Sequence, residues 1–263
     1  MTDQAVTTDI DNRGVATVRL NRPDRHNAFD DEIIAELQAS FDALAANDAV
    51  RVMVLASEGK SFSAGADLAW MKRMASYSRD DNLADARALA AMLKSLYGMP
   101  QPTIARVQGA AFGGAVGLVS CCDMAVGSER ASFCLSEVKI GLIPATISPY
   151  VIRAMGERAS RRYFTTAERF DAQTAQRLGL LSEVAAGESL DAAVEQLVST
   201  LLANGPQATR AAKQLVADMA GQPLTPELLE DSCERIADIR VSAEGQEGLG
   251  AFLEKRNPRW IES

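Results

Sequence analysis

The sequence predicts an α/β protein, with strands and crossover helices first and a helical region after them. Three observations predict it. Strand-length apolar runs alternate with segments of helical period up to Pro144. Beyond Pro144 almost every segment has helical period. Within the first part lies a glycine-rich crossing, with Gly109, Gly113, Gly114 and Gly117 crowded into one short apolar stretch. Alternating elements imply a largely parallel sheet with helical crossovers. At 263 residues the chain can bury a large core and still carry an appendage. The division expected is a core over 1–190 and a helical region over 191–263.

Residues 7–10 and 15–20 read as a hairpin around Asp11-Asn12-Arg13-Gly14. Its second arm sets Val15, Thr17 and Arg19 against Ala16, Val18 and Leu20. The segment from Asn21 to Ala28 is a loop. Asp30 can cap a helix on which Ile33, Ile34, Leu37, Phe41 and Leu44 share a face. Residues 52–56 are a β-type run, ended by Ser57-Glu58-Gly59-Lys60. Residues 81–97 are rich in Ala and Leu and helical, and Gly98-Met99-Pro100-Gln101-Pro102 stops them. Residues 103–107 are strand-like and lead into the glycines; 123–126 and 132–134 are strand-like again. The helices expected after Pro144 are 148–155, 157–165, 171–178, 190–204, 206–220, 226–241 and 245–255. The end is basic, with Lys255, Arg256 and Arg259, as solvated helix ends often are.

Two turns carry possible chemistry. The first, Gln108 to Gly117, follows a strand and enters an apolar run. Glycine permits a close, kinked backbone there. Where such a kink opens a helix, free N–H groups and the helix dipole face outward. That arrangement suits a developing oxyanion. A tight crossing in a buried core would use the same residues, with Glu137 as a cap. The second turn, Ser61-Phe62-Ser63-Ala64-Gly65-Ala66-Asp67-Leu68, also follows a strand and enters a helix. Two such turns can converge on one oxygen.

Composition excludes other classes. There are 27 basic and 35 acidic side chains, for a net charge of −8. Nucleic-acid binding needs a basic face, so it is not expected. The four cysteines, Cys121, Cys122, Cys134 and Cys233, have no metal-binding spacing, and His26 is the single histidine. No metal site follows. No secretory signal and no membrane-spanning run are visible, which makes the cytoplasm the expected location.

The ordered motifs resemble the crotonase superfamily, the enoyl-CoA hydratase/isomerase family. They are Asn21-Arg22-Pro23 with Asn27-Ala28, Phe62-Ser63-Ala64-Gly65-Ala66-Asp67, and Gln108-Gly109-Ala110-Ala111-Phe112-Gly113-Gly114 with Cys122-Asp123. After them come Glu137 to Pro144, Gly179 to Val184, and Phe252 to Arg256. The resemblance implies a spiral of ββα repeats with a helical C-terminal trimerisation region, as a homo-oligomer, trimer or dimer of trimers. It implies an acyl-CoA thioester as substrate, with coenzyme A a substrate carrier and no other cofactor. By position, the backbone N–H groups of Ala66 and Gly114 would hold the thioester oxygen, and Glu137 would be the catalytic carboxylate. Arg25, Ala28, Ala64, Ala66 and Leu68 match the loop and turn along CoA. Phe252 and Lys255 match a pair that reaches a neighbouring subunit's CoA phosphate.

Two departures refine the resemblance. Family hydratases often carry a second glutamate twenty positions before the first-named one, and here that position is Gly117. Members with one glutamate include Δ3,Δ2-enoyl-CoA isomerases. Pro144 is followed by Ala145-Thr146-Ile147-Ser148-Pro149-Tyr150 where many members have a glycine run. Together with Ala64 to Met71, this is similar to the methylglutaconyl-CoA and γ-carboxygeranoyl-CoA hydratase branch, whose relatives act in leucine and acyclic-terpene breakdown. The expected reaction is hydration of a branched or carboxylated enoyl-CoA. The alternatives are isomerisation by Glu137 alone, or a non-catalytic CoA-binding oligomer. Trp70, Met71 and Gly117 are candidates for the acyl pocket, with Met74 beside them; apolar packing would serve the same side chains. Asp67 reads as a helix-start carboxylate, and His26 as a solvent-facing loop residue.

Overall fold

The computed structural model describes residues 4–261. The chain opens with β1 (Val6–Ile10) and β2 (Val15–Leu20), an antiparallel pair in which Thr8 faces Val18. Helix α1 (Asp31–Ala45) is capped by Asp30, which accepts from the Ile33 N–H at 3.1 Å. Then follow β3 (Val52–Ser57), α2 (Leu68–Met74) and α3 (Arg79–Tyr97). Helix α3 starts two residues before the expected 81. Ser78 and Asp81 close a reciprocal capping box there, and its bonds satisfy the first turn.

The glycine region contains β4 (Thr103–Val107), β5 (Ala110–Phe112) and α4 (Gly114–Cys121). Next come β6 (Met124–Ser128), β7 (Ser132–Cys134), α5 (Ser148–Met155) and α6 (Glu157–Thr166). Strand β8 (Phe170–Asp171), α7 (Ala172–Arg177) and β9 (Glu183–Ala185) lead to α8 (Leu190–Leu202). Helices α9 (Pro206–Met219), α10 (Pro226–Val241) and α11 (Ala243–Glu254) complete the chain. Strands β5, β8 and β9 are absent from the sequence expectation. Each has three residues or fewer, too short to show a period, and each is fixed by its neighbour in a sheet.

Two sheets result, one ordered β1-β2-β3-β4-β6-β9 and a smaller one ordered β5-β7-β8. The large sheet is parallel except for β1. All six residues of β3 are buried, because both faces of that strand are covered. Met53 and Leu55 pack with Leu37 and Phe41 of α1 and Leu96 of α3 in the main core. Val52 and Val54 point the other way and meet Leu190, Val194 and Val198 of α8, together with Ile104 and Val126. Helix α8 therefore covers the second face of the sheet.

Helices α9 and α10 bury none of their own residues. Polar bonds dock this region instead. Arg51 donates to the carbonyls of Leu202 and Asn204 at 2.8 and 2.9 Å, and Arg210 donates to that of Val50 at 2.8 Å. Lys213 pairs with Asp123 at 2.7 Å.

Candidate active site

The turn after β3 runs beside β5. The Ser63 N–H donates to the Ala110 carbonyl at 3.0 Å, and the Phe112 N–H donates to that of Ser63 at 3.0 Å. On its other side, the Phe29 N–H donates to the Gly65 carbonyl and the Asp67 N–H donates to that of Phe29. Gly65 has φ +89°, and a Cβ there would stand 2.7 Å from the Phe112 carbonyl oxygen, so only glycine fits. Between these bonds the Ala66 N–H has no acceptor among the described residues.

The second turn is built the same way. The Gly113 N–H donates to the Cys134 carbonyl at 2.8 Å, and Gly113 has φ +54°. Gly114 then opens α4. Its N–H also has no acceptor among the described residues, as the first N–H of a helix has no partner within that helix. Both residues line one pocket of about 220 Å³ with Glu137.

Glu137 begins a short 3-10 turn, Glu137–Ile140, after β7. Its Oε2 is enclosed and has no hydrogen-bond partner. Its Oε1 lies against the second turn, 3.3 Å from where a Cβ on Gly113 would stand. Burial raises its pKa above the usual carboxylate value, only partly offset by a bond to its own backbone. A half-buried carboxylate beside two unpaired N–H groups is placed to exchange a proton with whatever those groups hold.

The rest of the wall comes from α2, α3 and the loop after Glu137. Trp70 and Met74 line the pocket; Met71, expected there, does not. Gly117 does not line it either. It is buried in α4, and a Cβ there would stand 2.3 Å from Ile147 Cγ2. Ile147 itself lines the pocket, over the position where a first glutamate would project. Asn82, Asp85 and Leu89 of α3 also face the pocket, as does Phe29. Sequence reasoning missed Ile147 and Asp85. Neither the place of Ile147 just before α5 nor that of Asp85 within α3 gives a sign of which neighbour it meets.

Other expected residues fall into two places. Ala64 is exposed on the first turn, its N–H donating to the His26 carbonyl at 2.9 Å. Leu68 beside it is 81% exposed. Arg25 pairs with Asp67 at 3.4 Å, so Arg25, Ala64 and Leu68 share one rim next to the Ala66 N–H. Ala28 is buried behind that rim. Phe252 and Lys255 lie at the exposed end of α11 and do not line the pocket. Asp67 caps α2, accepting from the Ala69 and Trp70 N–H groups at 2.8 and 3.2 Å. Burial pushes its pKa up, but these bonds and Arg25 outweigh it and hold the carboxylate below its usual value. His26 Nδ1 lies 3.0 Å from Ser61 Oγ, away from the pocket lining. Cys121 is buried, and burial pushes the Cys122 thiol up to about 12, so neither is a ready nucleophile.

Comparison with known proteins bears on family and fold. The family model described as enoyl-CoA hydratase/isomerase matches residues 11–263. A solved enoyl-CoA hydratase from Shewanella pealeana ATCC 700345 is 49% identical, with a TM-score of 0.94 over 98% of this chain and 97% of that one. The 2,3-dehydroadipyl-CoA hydratase of Escherichia coli strain K12 is 30% identical over 245 residues, 93% of this chain and 94% of the relative. The crotonyl-CoA hydratase of Syntrophomonas wolfei is 28% identical over 261 residues, 94% of each chain.

Proposed function

Because the chain belongs to the enoyl-CoA hydratase/isomerase family and has the crotonase fold, we propose that it hydrates the 2,3 double bond of a short enoyl-CoA. The acyl group is branched or carries a distal carboxylate, as in 3-methylglutaconyl-CoA. One observation carries the reading: the unpartnered Oε2 of Glu137 shares a pocket with the unpaired N–H groups of Ala66 and Gly114. The two N–H groups hold the thioester oxygen. Glu137 takes a proton from water as the water oxygen bonds to C3. The electron pair of the double bond moves into the thioester as an enolate, whose oxygen the two N–H groups stabilise. Glu137 then gives that proton to C2, the enolate electrons form the new C–H bond, and the carboxylate is regenerated. One such N–H donor is worth about 2.7–4 kcal/mol of barrier.

Two observations bear on the acyl group. Similarity to the 2,3-dehydroadipyl-CoA hydratase supports a carboxylated chain. No Lys or Arg lines the pocket among the described residues, which supports a neutral branch. Arg25, Ala64 and Leu68 form the CoA rim in this reading, and Lys255 reaches the CoA of a second copy. Exposed Val216, Leu229 and Ile236 on α9 and α10 support a trimer or a dimer of trimers. Four free thiols suit a reducing cytoplasm; among the described residues no helix is long and apolar enough to cross a membrane.

A second reading rests on Ile147. It fills the place of the first glutamate, so one carboxylate remains at that wall. A single carboxylate suffices to move a proton from C2 to C4 in a 3-enoyl-CoA. Crotonyl-CoA, 3-methylglutaconyl-CoA and a 3-enoyl-CoA, each with product identification, separate the two readings. Glu137→Gln is expected to lower either rate by roughly 10²–10⁴-fold. A variant within a few-fold of wild type would remove Glu137 from the mechanism.

A further inference from the structure

We propose that the hydrogen bond between Trp70 and Asp85 is the bolt that limits acyl length in this pocket. The inference rests on the acyl-CoA reading of the site and adds a specificity device to it. Trp70 belongs to α2 and Asp85 to α3, and both line the pocket. The indole Nε1 donates to Asp85 Oδ2 at 3.1 Å, so the two walls are joined across the space between their helices. Trp70 is held from the other side as well, since its backbone N–H donates to the α2 cap, Asp67. The ring is buried, packed into the main core with Phe29 and Leu93 in the same cluster. It therefore has little freedom to swing aside.

The acyl chain starts at the thioester, between the Ala66 and Gly114 N–H groups. Trp70 lies four residues beyond Ala66, in the first turn of α2, and lines the same pocket. Ile147 lines the loop side of the pocket and Leu89 the α3 side. A chain that runs on between α2 and α3 meets the indole and the bond that joins the two helices. The pocket has a volume of about 220 Å³, and in this proposal the bolt bounds the part of it that a longer chain would use.

The test compares binding of butyryl-CoA and decanoyl-CoA, saturated analogues that need no turnover, by calorimetry. It also compares kcat/KM for crotonyl-CoA and 2-decenoyl-CoA. Wild type is expected to prefer the short chain in both. Trp70→Ala is expected to shift the decanoyl-to-butyryl affinity ratio at least about tenfold toward decanoyl, because methylenes that now meet the indole become buried. Trp70→Leu, which keeps an apolar side chain in the core, shifts it in the same direction and serves if the alanine variant does not fold. Asp85→Leu removes the acceptor, and its effect appears in KM for the short substrate more than in kcat. Asp85→Asn keeps an oxygen for the indole N–H and returns the ratio to within about threefold of wild type. A folded Trp70→Ala or Trp70→Leu with an unchanged ratio overturns the proposal. Failure to bind any acyl-CoA would instead overturn the functional reading, whatever the ratio.

Discussion

Gly114 and Gly117 lie one turn apart on α4, and the same residue type does opposite work at the two places. At Gly114 the absent side chain leaves room for the ring of Phe29, whose Cζ would be 2.7 Å from a Cβ. The backbone N–H stays open to the pocket. At Gly117 the absent side chain lets Ile147 into the helix surface, with Cγ2 2.3 Å from a would-be Cβ. The helix is thereby sealed, and no group projects. One glycine exposes a polar donor and the other removes a polar group. The pocket is left with two N–H donors and Glu137, its other carboxylate, Asp85, being bonded to Trp70.

The largest effect is expected at the first of these positions. In Gly114→Ala the new methyl pushes on Phe29 and displaces the N–H from the thioester oxygen. The rate should fall by about 10²–10³-fold, as loss of one oxyanion donor does, with KM changing less. Steady-state kinetics on a correctly folded sample checks this. Gly117→Ala should act on stability instead. Overpacking against Ile147 is expected to cost about 1–3 kcal/mol by denaturant unfolding. Adding Ile147→Ala should recover most of that loss. Equal kinetic damage from both glycine variants would erase the contrast.

The next effect separates the pocket carboxylate from the cap. Burial raises the pKa of Glu137 in the folded state. The folded chain therefore favours its protonated form, and that stability is full at low pH and lost as pH rises through the folded pKa. Glu137→Gln should thus be more stable than wild type at pH 8, by about 1–3 kcal/mol, with the difference vanishing near pH 4. Asp67 runs the other way, because its folded pKa is lowered. Its contribution is present above the unfolded pKa and is lost as pH falls through the folded one. Asp67→Ala is expected to lose about 0.5–2 kcal/mol at neutral pH, the value of a helix cap, and less in acid. Thermal melts across pH read both. A carboxylate that destabilises beside one that stabilises is the signature of a site set against its scaffold.

Much of this was legible in the sequence, and the reasons differ by region. Strand β2 and helix α1 show their period because one face is buried, as by Ile33, Leu37, Phe41 and Leu44 on α1, whereas β3 and β4, buried almost throughout, show as short apolar runs. Strands β5, β8 and β9 did not, since two or three residues carry no period and their pairing is tertiary. The two turns were legible through Gly65, Gly113 and Gly114, where backbone geometry demands glycine or a close approach. Glu137 was marked by family resemblance, since a cap would use the same residue. Gly117 misled: a glycine in the place of an acid suggests open space, and only the packing of Ile147 reveals a filled one. Asp85 was invisible for a related reason. An acid on an exposed helix reads as solvated until the indole of Trp70 is seen to reach it.

The most direct test of the central claim is to follow the oxygen of water. The enzyme would be incubated in ¹⁸O-labelled water with 3-methylglutaconyl-CoA, and the product examined by mass spectrometry for label at C3. Wild type is expected to incorporate the label catalytically, and Glu137→Gln to bind the substrate while incorporating it at roughly 10²–10⁴-fold lower rate. Incorporation by the glutamine variant at a rate close to wild type would contradict the claim that Glu137, beside the Ala66 and Gly114 N–H groups, carries the reaction.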